Sequence, residues 1–263
     1  MARAVAAELA EIPEVLAVAM GGSRASGTAD AGSDIDLYVF SAAGVPVEPR
    51  AALARARSAA PEIDAQWWGP TDEWRDDASG IWFDLTFWTQ AWMQAEIEKT
   101  LVRFEPNLGY STSFWHTLLA CVPLHDPSGW LAALKDRFAV PYPEELRRNV
   151  VAFNRPLLRA ARPAYLHQAE KAVGRNDLVS LNHRLAGFFA SYFDCLYALN
   201  RVPNPGEKRL LDLAERDCPQ RPATMRADVE GVLKLAATPS RELLEAWERA
   251  ARNLEDVLEA EGL

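Results

Sequence analysis

Apolar and polar positions divide this 263-residue chain into two parts. In the first, short apolar runs alternate with turn residues, the spacing of strands and brief helices. The pattern predicts a helix over 1–12, a strand near 14–20, a glycine-rich turn with a short helix, and a strand over 34–40. A helix over 51–60, a strand over 62–68, a polar loop from Gly69-Pro70 to Gly80 and a strand over 81–88 complete it. From Trp92 onward apolar residues recur at three- and four-residue steps, and helices are expected over 144–175, 177–200, 208–217, 222–237 and 240–260. Pro156 and Pro163 should kink or interrupt the first of these. The fold class expected is α+β: an N-terminal small mixed sheet with helices over 1–105, then a helical bundle over 106–263.

The most chemically loaded stretch is Gly21-Gly-Ser-Arg-Ala-Ser-Gly-Thr-Ala-Asp-Ala-Gly-Ser-Asp-Ile-Asp-Leu-Tyr-Val-Phe40. Two aspartates one residue apart in a β-prone run share a face of the strand. Their Cα atoms then lie roughly 6.5–7 Å apart. Carboxylates so spaced can converge on a hard divalent cation, whereas aiming both at an apolar core would be costly. The preceding Gly21-Gly22-Ser23 allows a sharp turn and close approach to a ligand. Ser23 is expected to cap a helix beginning near Arg24, whose free N–H groups suit phosphate.

This arrangement resembles the nucleotidyltransferase superfamily typified by DNA polymerase β, whose signature is Gly-Ser, about ten residues, then Asp-x-Asp. Gly22, Ser23, Asp34 and Asp36 match it position by position. The resemblance implies a third carboxylate on a later strand, and Asp84 is the lone acid in Ile81-Trp-Phe-Asp-Leu-Thr-Phe-Trp88. It further implies that Asp34, Asp36 and Asp84 hold two Mg²⁺ ions. An acceptor hydroxyl then attacks the α-phosphorus of a nucleoside triphosphate, ATP being favoured, and pyrophosphate leaves. Gly22, Ser23, Arg24 and Ser33 are the nucleotide-binding residues expected in this part of the chain. In related enzymes a lysine of the helical domain reaches the triphosphate, and Lys171 and then Lys208 are the candidates. The two-part layout is similar to that of aminoglycoside and lincosamide nucleotidyltransferases, which implies a small-molecule hydroxyl acceptor. The alternatives are AMP transfer to a protein or RNA partner, as in toxin–antitoxin pairs, and a non-catalytic nucleotide-binding protein.

Composition narrows the partners. The net charge is −9, which argues against nucleic acid, since tight non-specific binding needs a basic surface. It favours small or cationic acceptors. No apolar stretch is long enough for a membrane span, and the N-terminus reads as an amphipathic helix rather than a signal peptide. Cys121, Cys195 and Cys218 lie far apart without metal spacing, which fits buried, reduced thiols in a cytoplasm. Asp72-Glu73 and Asp76-Asp77 around Trp74-Arg75 read as a solvated hairpin loop, the alternative being an acidic, aromatic loop that receives a polyamine-like acceptor. Trp67, Trp68, Trp82 and Trp88 read as core and sheet cover. Arg162-x₄-His167 formally resembles the motif of HEPN ribonucleases, but proline after the arginine departs from it.

Overall fold

The computed structural model describes all residues except Thr28, Ala31 and Trp68. The chain forms two compact units, Met1–Glu98 with Thr117–Ala139, and Lys99–His116 with Val140–Leu263. Together they make the expected α+β fold, a mixed sheet with helices followed by a helical region.

The first unit holds a sheet that has six strands among the described residues: β1 (Val15–Met20), β2 (Ile35–Ser41), β3 (Glu62–Ala65), β4 (Thr71–Arg75), β5 (Trp82–Thr89) and β6 (Val122–His125). Their order is β3-β4-β5-β2-β1-β6. The pair β2/β5 is parallel, and the other pairs are antiparallel. Alternation along β2 and β5 explains the layering. Ile35, Leu37, Val39, Phe83, Leu85 and Phe87 are buried and join the core with Val5 and Leu9 of α1 (Ala2–Leu9) and Ala54 of α3 (Val47–Arg55). The opposite face carries Asp36, Tyr38, Asp84 and Trp88, all half-buried. Farther along that face Phe40 is fully buried, with Trp88 on one side and Trp130 of α6 (Trp130–Phe138) on the other.

Several elements differ from the sequence expectation. The stretch 69–80 is no loop, because Thr71–Arg75 pairs with β5. Its Trp74 is buried and stacked on Phe83, and its Asp72 is buried beside Arg50. The strand expected over 62–68 ends at Ala65, after Asp64 takes a left-handed φ of 58°. Trp67 is 81% and Trp82 50% exposed, so neither is core; Trp68 lies outside the described residues. The third helix spans Val47–Arg55 rather than 51–60. Strand β6 was not anticipated, being four residues long and containing Pro123.

Beneath β3 and β4 lies a charged knot. Arg50, 3% exposed, bonds Asp64 at 2.6 Å, lies 3.6 Å from Asp72 and covers the Phe87 ring at 4.3 Å. The Asp64 N–H also donates to Asp72. Burial pushes the Asp72 carboxyl above the usual carboxylate range.

Helices α4 (Gln90–Leu101) and α5 (Ser113–Ala120) each straddle a boundary between the units. The second unit contains α7 (Glu144–Leu158), α8 (Tyr165–Gly174), α9 (Leu178–Leu199), α10 (Leu210–Asp217), α11 (Met225–Leu235) and α12 (Arg241–Ala260). Residues 190–199 of α9 are all buried, the signature of a helix packed on every side. Asp177 caps α9 through Ser180 N–H, and Ser240 caps α12 through Leu243 N–H. Pro156 sits in the last turn of α7, and the helix runs two residues past it. The expected interruption comes instead at Arg159, next to the turn that holds Pro163. Asp194 of α9 is 1% exposed and accepts hydrogen bonds from Ser111 N–H (3.0 Å), Ser111 Oγ (2.6 Å), Asn154 Nδ2 (3.3 Å) and Asn204 Nδ2 (3.2 Å).

Candidate active site

The site face of the first unit is organised by one rung of the parallel ladder. Asp36 of β2 is the register partner of Asp84 of β5, so the two carboxylates project side by side. Asp34 lies just before β2 and is exposed. The rung continues: Asp84 pairs with Glu73 of β4, and Glu73 with Glu62 of β3. Cross-strand partners share a face, so four acids form a row across four adjacent strands. Glu73 was missed in the sequence because a charged segment next to Gly69-Pro70 reads as loop. The available signal was alternation, with Asp72 and Trp74 inward and Glu73 and Arg75 outward.

The glycine turn stands over this rung. Helix α2 (Gly22–Ser26) begins at Gly22, with Gly21 at its N-cap. Ser23 therefore sits inside the first turn and caps nothing, contrary to expectation. Gly22 has a φ of +59°, and a Cβ there would overlap Oδ2 of Asp36. Gly21 N–H donates to the Asp36 carbonyl at 2.9 Å. Side-chain-free residues are thus required for the turn to lie on the acid strand.

Two further side chains join the turn to the strand. Arg24 donates from Nε to the Asp34 carbonyl (2.9 Å) and from Nη2 to the Ser33 carbonyl (2.6 Å). The Ser33 hydroxyl donates to Asp30 Oδ1 at 3.1 Å and accepts from Asp30 N–H at 2.9 Å, closing the intervening loop. Tyr38, one strand step beyond Asp36, lies against Gly21 and stacks on Trp88 at 4.8 Å. Burial, then the Asp36 charge, pushes its phenol up to about 12. The phenol is therefore protonated at neutral pH.

Oxygen donors on Asp34, Asp36 and Asp84 are the kind that hard divalent cations take. Among the described residues no group of three or more His, Cys, Asp or Glu is already gathered as a metal cluster. The donor type fits such a cation, with Asp36 and Asp84 on one rung and Asp34 at the exposed start of the strand.

Residues 2–103 match the nucleotidyltransferase domain family. The match supports a DNA polymerase β-like nucleotidyltransferase domain over that stretch. In sequence no curated protein matches the chain. Among solved structures it is similar to a nucleotidyltransferase-like protein from Exiguobacterium sibiricum 255-15, at 13% identity and a TM-score of 0.45 over 98% of this chain and 73% of that one. That likeness is too slight to carry a function.

The first unit brings together Gly22, Ser23, Arg24, Ser33, Asp34, Asp36 and Asp84. The remaining candidates belong to the second unit, where Lys171 is exposed on α8 and Lys208 is exposed two residues before α10. His167 donates from Nδ1–H to the Ala161 carbonyl at 3.1 Å within one tight turn, and Arg162 is exposed beside it. The three cysteines are buried. Among the described residues no helix is long and apolar enough to cross a membrane.

Proposed function

We propose that this chain is a divalent-cation-dependent nucleotidyltransferase that moves a nucleoside monophosphate, AMP from ATP, onto a hydroxyl of a small molecule. The observation that carries the reading is the Asp36–Asp84 rung lying beneath a side-chain-free Gly21-Gly22 turn. Like charges placed side by side on a sheet are destabilising, which is tolerated where a cation is to be held.

In this reading Asp34, Asp36 and Asp84 hold two Mg²⁺ ions. Bound there, the ions supply charge neutralisation of the phosphates and a lowered pKa for the acceptor hydroxyl. The turn at Gly22-Ser23 binds the β- and γ-phosphates through backbone N–H groups and the Ser23 hydroxyl. Arg24 and Ser33 keep the loop before Asp34 in place. The acceptor oxygen bonds to the α-phosphorus, the bond to the β-phosphate bridging oxygen breaks, and pyrophosphate departs with its electron pair. Asp84 is assigned to the ion beside the acceptor, where it would stay ionised and assist deprotonation of the hydroxyl more through the metal than as a free base. On their chemistry alone, Lys171 and Lys208 are assigned to balance phosphate charge. A net charge of −9 favours a small or cationic acceptor over a nucleic acid.

The test is transfer of label from triphosphate carrying a radioactive α-phosphate, with Mg²⁺, to a panel of hydroxyl-bearing small molecules. Label on a small molecule, lost in Asp84→Asn, supports the reading. Label on a protein or RNA instead replaces the acceptor class, and no transfer or pyrophosphate release with any acceptor contradicts enzymatic activity.

A further inference from the structure

Two side chains on the site face carry none of the roles above. Trp82 opens β5 on the same face as Asp84, two residues before it, and is 50% exposed. Other tryptophans of this unit are packed on rings, Trp74 on Phe83 and Trp88 on Tyr38. Among the described residues no ring packs on Trp82, which leaves an indole face open beside the acids. Glu73 is the second. Of the four acids in the row, Asp36 and Asp84 are assigned to the cations, and Glu62 accepts a hydrogen bond from Trp67 Nε1 at 3.3 Å. Glu73 is exposed, and among the described residues nothing donates to its side chain. The register sets Trp82 opposite Arg75 and Asp84 opposite Glu73, so Trp82 and Glu73 are diagonal neighbours across β5 and β4. Aromatic and long side chains at diagonal positions reach one another. Arg75 is tied back to the turn beyond β4, its Nε donating to the Gly80 carbonyl at 3.0 Å.

Resting on the proposed nucleotidyltransferase reading, we propose that Trp82 and Glu73 form the acceptor subsite and select a ring-bearing hydroxyl compound that carries a protonated amine. In-line displacement puts the attacking and leaving oxygens on opposite sides of the α-phosphorus. The turn assigned to the leaving pyrophosphate follows β1, which flanks β2 on the side away from β5. The acceptor therefore lies on the β5 and β4 side of the acids, over Trp82 and Glu73. The open indole takes the flat apolar face of the acceptor ring and attracts its cation. Glu73 pairs with the amine through a charge-assisted hydrogen bond. Asp84 and Glu62, the register partners of Glu73 on either side, repel an anionic acceptor. Both residues touch the acceptor in this account, and neither is assigned to the nucleotide.

The probes are the glucosamine tetrasaccharide, its fully N-acetylated counterpart, which keeps the rings without the charge, and spermine, which keeps the charge without rings. Each is titrated into the full chain saturated with Mg²⁺ and a non-hydrolysable nucleoside triphosphate, and followed by calorimetry and tryptophan fluorescence. Wild type should bind the glucosamine tetrasaccharide at least about tenfold more tightly than either other probe. Trp82→Ala should weaken that binding by about tenfold and remove the fluorescence change, while Trp82→Phe stays within about threefold of wild type. Glu73→Gln should weaken it by about five- to tenfold and leave the N-acetylated probe within about twofold. All three variants should bind the Mg²⁺–triphosphate within about twofold of wild type, because the subsite lies outside the nucleotide. Equal binding of the three probes, or binding of none, overturns the acceptor class. Wild-type binding by Trp82→Ala or Glu73→Gln, or triphosphate binding lost along with the probe, overturns the subsite. Absence of Mg²⁺-dependent triphosphate binding in wild type overturns the transferase reading itself and is seen before any probe is added.

Discussion

Gly22 and Asp36 cannot both carry a side chain: a Cβ on the first would occupy the space of carboxyl oxygen Oδ2 of the second. Residues 14 positions apart are therefore in contact through the absence of an atom. The positive φ of Gly22 adds a second reason for glycine, and both are local consequences of a turn folded flat onto the acid strand.

Gly22→Ala should accordingly do two things. It strains the backbone by about 1–2 kcal/mol and pushes the turn off Asp36. Triphosphate binding is expected to fall at least about tenfold, equivalent to 1.4 kcal/mol, while circular dichroism keeps its wild-type shape. Binding by the variant at wild-type strength would show that the contact has no bearing on the ligand.

Arg24 spends two donors on the carbonyls of Ser33 and Asp34. Arg24→Ala should cost about 1–2 kcal/mol in urea unfolding, less than two buried charged hydrogen bonds because the residue is partly exposed. The loss of metal-dependent nucleotide binding should exceed the loss of stability, because the loop presenting Asp34 is released. Arg24→Lys should not rescue it, since a point charge cannot span both carbonyls.

Arg50 is the stability counterpart on the core face. Its removal leaves Asp72, 0% exposed, without its nearest cation. Arg50→Ala should destabilise the first unit by about 3–5 kcal/mol, read as a shift in urea midpoint. Arg50→Ala together with Asp72→Asn should recover part of that loss. Failure to recover would place the cost in lost packing on Phe87 instead.

Asp194 sets a pH dependence in the second unit. Burial outweighs its hydrogen bonds from Ser111 and Asn204 and pushes its carboxyl up to about 6. A raised folded pKa means the native state holds the proton where the unfolded chain has released it, so stability declines as pH rises from about 4 through 6. Tyr110, Tyr142 and Cys195 are neighbouring titratable groups, and burial pushes all three above their ordinary values, so none ionises in that window. Relative to Asp194→Asn, wild type should lose on the order of 2–3 kcal/mol between pH 4 and pH 7 in urea melts. A flat difference across that range would contradict the assignment.

What the sequence revealed and what it hid follow from physical range. Gly22-Ser23 and Asp34-x-Asp36 were legible because their chemistry is local, and Asp84 because one acid in an apolar strand is conspicuous. Asp36 and Tyr38 share a face by simple alternation, yet the stacking of Tyr38 under Gly21 needs the turn's actual path. Strand β4 was hidden because Asp72 looks solvated until Arg50, 22 residues earlier, is placed beside it. Strand β6 was hidden because a four-residue edge strand owes its existence to the β1 edge rather than to its own pattern. Ser23 looked like a cap because Ser is favoured there, but the turn's closeness to Asp36 places Gly21 at that position.

The central claim is that the acids at the start of β2 bind a metal–triphosphate complex. Calorimetric titration of each non-hydrolysable nucleoside triphosphate, with and without Mg²⁺, tests it on wild type and on Asp34→Asn/Asp36→Asn side by side. The account predicts binding of a triphosphate that requires Mg²⁺ and is lost in the double variant while its melting curve is retained. Triphosphate binding that is indifferent to Mg²⁺ or to both substitutions, or no binding at all, would contradict it.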